Sequence, residues 1–123
     1  QFLKKRKELN LKYDLNLKNI RGLIIQPLSK KYFSSNHLYL VGIIDKSIEF
    51  KEKFIKYMLS KKIFLQYHYI PVYKFKVFKK NIKLKNAENY YKSFISLPIY
   101  YDLTFKDQKK IIKFIKIFFE KFY

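Results

Sequence analysis

The chain has 123 residues, enough for one domain with a real core and short for an enzyme that carries its own cofactor pocket. Its 28 Lys and Arg against 9 Asp and Glu give a formal charge of +19, and it contains no cysteine. That composition excludes a disulfide framework and a thiolate metal site and favours a reducing, cytosolic setting, and no apolar run approaches the roughly 20 residues that span a bilayer.

Residues 2–20 place Leu9, Tyr13, Leu17 and Ile20 at helical spacing, and Gly22 offers the left-handed stop that commonly ends a helix. A chain that opens at Gln1 and reads at once as helix is expected to be a portion of a longer protein. "IRGLIIQP" leaves the helix and ends at Pro27, and "LSKKYFSSN" is a polar connector. "HLYLVGIID", 37–45, is apolar almost throughout and rich in branched and aromatic residues, which predicts a strand buried on both faces. "KSIEFKEKFIKYMLSKK" is a second helix, with Ser47 as N-cap and Ile48, Ile55, Met58 and Leu59 near one face.

"IFLQYHY" reads as a second strand, stopped by Pro71, which cannot donate to a ladder. "NAENYYKSFI" predicts a shorter helix capped by Asn86, and "SLPIYYDL" an extended stretch through Pro98. The closing helix starts at Thr104, which forms a capping box with Asp107, and Ile111, Ile115, Phe118 and Phe122 give it an apolar stripe. The order helix, strand, helix, strand, helix, helix predicts a small two-layer α/β domain with no internal repeat and no interior linker.

A charge of +19 invites a polyanion, and a basic nucleic-acid-binding module is the alternative reading. Against it, only Arg6 and Arg21 are arginines, so the bidentate guanidinium fork that reads bases and clamps phosphates is nearly absent. The lysines are spread along every segment, in a chain equally rich in Ile, Phe, Tyr and Asn, as an adenine- and thymine-rich coding sequence produces. "KKIIKFIKIFFEKFY" has the form of a basic amphipathic helix, but a stripe at helical spacing is more often core than a membrane face. Gly22 and Gly42 are the only glycines, so there is no phosphate loop. Two distant histidines do not make a zinc site, and no complete active site is encoded.

Four stretches, "SSNHLYLVGI", "LSKKIFLQYHYIPVY", "NAENYYKSFISLPIYYDLT" and the closing helix, resemble in order the C-terminal portion of the DegT/DnrJ/EryC1/StrS aminotransferases. The resemblance begins within "KRKELNLKYDLNL", which is similar to the family's "R-x-x-I-A-x-x-Y" segment, and spans nearly the whole chain. "HYIPVY", "NAENYY" and "ISLPIY" are most similar to the branch of the family that serves pseudaminic acid synthesis and aminates a UDP-linked 4-keto-6-deoxy sugar.

The resemblance implies the small C-terminal domain of a fold-type I aminotransferase, a short, mainly antiparallel sheet packed against helices. Residues 1–22 would be the helix connecting it to a large N-terminal domain, and residues 23–123 the small domain itself. It implies pyridoxal 5′-phosphate as cofactor, held in that large domain together with the lysine that carries it, so none of this chain's lysines takes that role and the portion alone is inactive. It also implies a nucleotide-linked keto-sugar substrate, an amino-acid donor, commonly glutamate, and a homodimer of the complete protein.

Two departures from the family pattern stand out. The family usually has glycine in "K-G-I", where this chain has Lys62 before Ile63, and a second histidine where this chain has Tyr73. An isolated histidine between tyrosines is ordinarily a satisfied core residue. At a strand end, before a proline and at the matched family position, His68 is instead expected to line the sugar side of the cleft with Tyr69 and Tyr73, where an imidazole can donate or accept a hydrogen bond. His37, in "NHLY", is the further candidate, and packing at the domain junction accounts for it as readily as substrate contact.

Overall fold

The computed structural model describes residues 1–26, 33–44, 47–78, 82 and 84–123. Pro27 and most of the polar connector therefore lie outside the described residues, as do Asp45 and Lys46. The elements run α1 (Phe2–Leu17), β1 (Leu23–Ile25), β2 (Tyr39–Ile43), α2 (Ile48–Ser60), α3 (Lys85–Ser93), β3 (Phe94–Leu97) and α4 (Phe105–Phe122), with two short 3-10 turns at Val72–Lys74 and Lys76–Phe78.

The sheet has the order β1-β2-β3 and is antiparallel throughout, with Leu23 opposite Ile43 on one side of β2 and Tyr39 opposite Leu97 on the other. The central strand is buried as its composition predicts: Tyr39, Val41, Gly42 and Ile43 are buried and only Leu40 is half-buried. α1 packs on α4 and β1, α4 on α2, and α3 on α2 and β3. A two-layer α/β domain with a short antiparallel sheet is what the sequence predicts.

One core joins these elements. α1 contributes Leu9, Tyr13 and Leu17, and α4 contributes Ile111, Ile112, Ile115, Phe118 and Phe119. Each such side chain contributes roughly 1.5 to 3 kcal/mol on leaving water. α4 begins at the predicted capping box, where the Asp107 N–H donates to Thr104 Oγ1 at 3.0 Å and the Thr104 hydroxyl donates to Asp107 Oδ2 at 2.6 Å. α2 begins at Ser47, whose hydroxyl accepts the Phe50 N–H at 3.4 Å. Polar clasps set α1 in place: the Tyr39 hydroxyl donates to Asp14 Oδ1 at 2.7 Å, Tyr13 to the Pro98 carbonyl at 2.9 Å, and Gln108 Nε2 to the Leu9 carbonyl at 2.6 Å.

The structure corrects four expectations. "IFLQYHY" is not a strand: it makes a single bridge, Gln66 to Ser96, and the third strand is Phe94–Leu97, entered from α3 with no intervening residue. β2 has two sides, one taken by β1 and the other by β3, which leaves "IFLQYHY" a place only beyond β3. Asn86 does not cap α3, which begins after Leu84 without a side-chain cap. Leu59 is 49% exposed, and the buried face of α2 is Lys51, Phe54 and Met58, spaced three and four residues apart. His37 precedes β2 instead of opening it.

Lys62, where the family has glycine, sits at φ +61°. Its N–H donates to Leu59 and the Ile63 N–H to Met58, at 2.8 and 3.0 Å, the pair of bonds that closes a helix around a left-handed residue. Gly22 is also left-handed, at φ +84°, and a Cβ there would meet the Tyr123 ring at 2.2 Å.

Candidate functional site

A cavity of about 560 Å³ opens between the end of α2, the segment that follows it, the end of β3 and the first turns of α4. Its size is that of a small-molecule pocket. Ile63, Leu97, Pro98, Ile99, Leu103 and Ile111 make its apolar wall, while His37, His68, Gln66, Ser96, Tyr100 and Asp107 supply polar groups, and Lys62 and Lys110 bring positive charge.

The two histidines reach it from opposite directions. Gln66 and Ser96 exchange backbone bonds of 2.9 and 3.3 Å, and the Ser96 hydroxyl adds a third at 3.2 Å to the Gln66 carbonyl. That clamp holds the segment that carries His68 two residues further on. His37 enters from the residues before β2, whose first residue pairs with Leu97 on the cavity wall.

His68 is half-buried, and both of its ring nitrogens are shut off from solvent with no hydrogen-bond partner among the described residues. A buried polar atom left unpaired costs about 1–3 kcal/mol. His68 is therefore not a satisfied core histidine. Asp107 is already engaged with Thr104 at the start of α4.

The structure brings His37 and His68 together and sends the two tyrosines elsewhere. Tyr69 is 72% exposed, its ring edge-on to His68 at 4.8 Å, and does not line the cavity. Tyr73 donates its hydroxyl to Glu88 Oε1 on α3 at 2.8 Å, and Lys74 joins the same carboxylate at 2.6 Å. That network holds the Glu88 carboxyl below its usual range, first through the Lys74 bond and then through Tyr73.

Sequence reasoning passed over Lys51. It is fully buried, donates Nζ to the Tyr91 carbonyl, and lies over the rings of Tyr67 at 4.5 Å and Tyr91 at 4.8 Å. Burial pushes its ammonium down to about 8. The signal was available, because Lys51 falls on the helical face of Phe54 and Met58.

This architecture, a short antiparallel sheet under helices with a half-polar cavity at its margin, is that of the small domain of an aminotransferase. The chain matches the DegT/DnrJ/EryC1/StrS aminotransferase family over residues 1–116 and belongs to it. Members of this family are pyridoxal-phosphate-dependent. It is 32% identical to a UDP-4-amino-4,6-dideoxy-N-acetyl-beta-L-altrosamine transaminase of Helicobacter pylori, with 98% of this chain and 33% of the relative covered. The enzyme of that name from Campylobacter jejuni subsp. jejuni (serotype O:23/36) is also 32% identical, over 87% of this chain and 29% of the relative. Among solved structures, Helicobacter pylori PseC, an aminotransferase involved in the biosynthesis of pseudoaminic acid, superposes with a TM-score of 0.90 at 30% identity, covering 98% of this chain and 33% of that one. The chain thus spans about a third of the length of the curated relatives it matches.

Neither Lys51 nor the two glycines offers pyridoxal phosphate a place. The buried amine of Lys51 is closed under two tyrosine rings and already bonded to Tyr91. The space at Gly22 is filled by Tyr123 and that at Gly42 by Phe94, so neither glycine opens a phosphate cradle. No described helix is long and apolar enough to cross a membrane.

Proposed function

We propose that the chain contributes the small domain of a cytoplasmic, homodimeric aminotransferase that moves an amino group from an amino acid, glutamate in the first instance, to a nucleotide-linked keto-sugar. Residues 1–22 join this domain to the rest of the enzyme and residues 23–123 form it. The observation that carries the reading is His68, with two unpaired ring nitrogens at a cavity of sugar size. The names of two relatives, both UDP-amino-sugar transaminases, support the substrate class.

In this reading the His68 ring turns its nitrogens, otherwise closed off from solvent, into the cavity to donate to or accept from a sugar hydroxyl or the keto oxygen, and His37 approaches the same ring from the other side. Pro98 and Ile99 exclude water along one wall, and Lys62 and Lys110 favour an anionic phosphate at the rim. Tyr69 offers an exposed ring outside the cavity, and Tyr73 holds the loop through Glu88. The cofactor, held by the remainder of the enzyme, supplies the electron sink through which the amino group passes from donor to keto carbon. The comparisons lend the nucleic-acid alternative no support.

The test is a titration of the chain with a UDP-linked 4-keto-6-deoxy sugar, followed by NMR of the two histidine rings. Both should shift, His68 the more, and the loaded full-length enzyme should aminate that sugar with glutamate. Silence of both rings together with no amination would sink the reading.

A further inference from the structure

We propose that Lys51 is a positioning residue for His68: its amine, buried between Tyr67 and Tyr91 and bonded to the Tyr91 carbonyl, fixes Tyr67 and so sets the imidazole of the next residue in the cavity. In its substrate aspect the inference rests on the function proposed above. Its structural aspect does not.

Three fastenings hold the segment from Gln66 to Lys74. At one end Gln66 is clamped to Ser96, and at the other Tyr73 and Lys74 are tied to Glu88. Between them stand the adjacent residues Tyr67 and His68, whose side chains reach different neighbours. His68 goes to the cavity, while Tyr67 goes to Lys51 and to the ring of Tyr91, 5.5 Å away. Apart from the edge of the Tyr69 ring, 4.8 Å away, the side chain of His68 has no ring contact or hydrogen bond among the described residues, which leaves the Tyr67 anchor to set its place.

Lys51 suits that anchor in chemistry as well as in place. Tyr91 lies in the last turn of α3, whose final carbonyls have no partner within the helix. A cation there meets the negative end of the helix and two aromatic faces at once. In a chain whose lysines are spread over its surface, this buried one joins α2, the end of α3 and the approach to His68.

The chain has two histidines, so the ring signals of His37 and His68 can be followed separately by NMR. Lys51→Met keeps most of the length of the side chain and removes the donor and the charge. The His68 signals should shift and broaden while those of His37 stay in place, and Lys51→Arg should restore them, since a guanidinium can also reach the carbonyl and lie over the rings. Tyr67→Leu, which leaves Lys51 untouched, should displace His68 in the same way and decides the matter if the methionine variant does not fold. Unchanged His68 signals in either folded variant, or an arginine variant as displaced as the methionine one, overturn the proposal. In the loaded full-length enzyme Lys51→Met should lower kcat/KM for the nucleotide sugar by roughly ten- to a hundredfold and leave the donor half-reaction unchanged, with recovery in Lys51→Arg. If His68 moves on the NMR evidence while the wild-type enzyme aminates no nucleotide sugar, the function falls and the positioning role stands.

Discussion

Ile63 donates its backbone N–H to the carbonyl of Met58 at 3.0 Å, and the bond closes α2 only because the residue between helix and core, Lys62, is left-handed at φ +61°. A side chain in that conformation costs about 1–2 kcal/mol relative to glycine, part of which glycine returns as entropy of the unfolded chain. Lys62→Gly should therefore raise the unfolding free energy by about 0.5–1 kcal/mol, and Lys62→Val should lower it. Urea titrations at one pH measure both. A glycine variant less stable than the parent would show that the lysine side chain holds the turn by contacts of its own.

Gly42 faces the ring of Phe94, which a Cβ would meet at 2.9 Å, and that ring is stacked on Tyr90 at 4.8 Å. Phe94 is the cross-strand partner of Gly42, and its ring can withdraw only by giving up the stack on Tyr90. Gly42→Ala should cost about 1–3 kcal/mol as overpacking, read as a fall in the urea midpoint.

Lys51 gives the fold a pH signature. Its amine has a folded-state pKa near 8 because burial disfavours the charged form, with Glu52 opposing, while the unfolded value is near 10.5. The group loses its proton more easily folded than unfolded, so its contribution to stability grows as pH rises from about 8 to about 10.5 and is lost as pH falls back through 8. Over the whole window it amounts to about 3 kcal/mol. Tyr13 and Tyr39 act with the opposite sign above about pH 10, since burial raises both, and therefore set the upper end of the useful range. The stability of the parent minus that of Lys51→Met should climb between pH 8 and 10 in denaturant titrations, and a flat difference would show that the amine is hydrated.

For His68→Ala in the loaded full-length enzyme, amination of the nucleotide sugar should fall by about ten- to a hundredfold in kcat/KM if one hydrogen bond of roughly 1.4 to 2.7 kcal/mol is lost in the transition state. The half-reaction with the amino donor should remain. A variant that aminates normally would return His68 to the structural residues.

Tyr73→Phe should leave the loop of Val72–Phe78 held to Glu88 by Lys74 alone and speed its amide exchange, whereas Tyr73→His, which restores the family residue, should keep a donor for the carboxylate. Hydrogen exchange resolved by residue distinguishes the two. Equal protection in parent and Tyr73→Phe would assign the loop's order to the Lys74 ion pair.

Elements whose causes are local were legible in the sequence. The capping box of Thr104 and Asp107, the cap at Ser47 and the apolar stripe of α4 all depend on neighbours within a turn or two, and they stand where the spacing puts them. The third strand was not legible, because "IFLQYHY" and "FISL" are both apolar and only their distances from β2 in the folded sheet separate them. The cavity was half legible. His68 and His37 each drew notice, but their convergence is a product of the pairing of Tyr39 with Leu97 and of Gln66 with Ser96, contacts no local pattern encodes. Lys51 escaped because one lysine among many carries no signal until its helical face is counted.

The passage from α3 to β3 takes place without a loop residue, Ser93 ending the helix and Phe94 opening the strand. The joint between helix and strand holds no spare residue. Glu88, which grips Tyr73 and Lys74, lies near one end, and Ser96 and Leu97, which form part of the cavity, lie at the other. With no slack between them, a pull on the exposed loop at the helix end must reach the cavity wall as a displacement of the backbone itself.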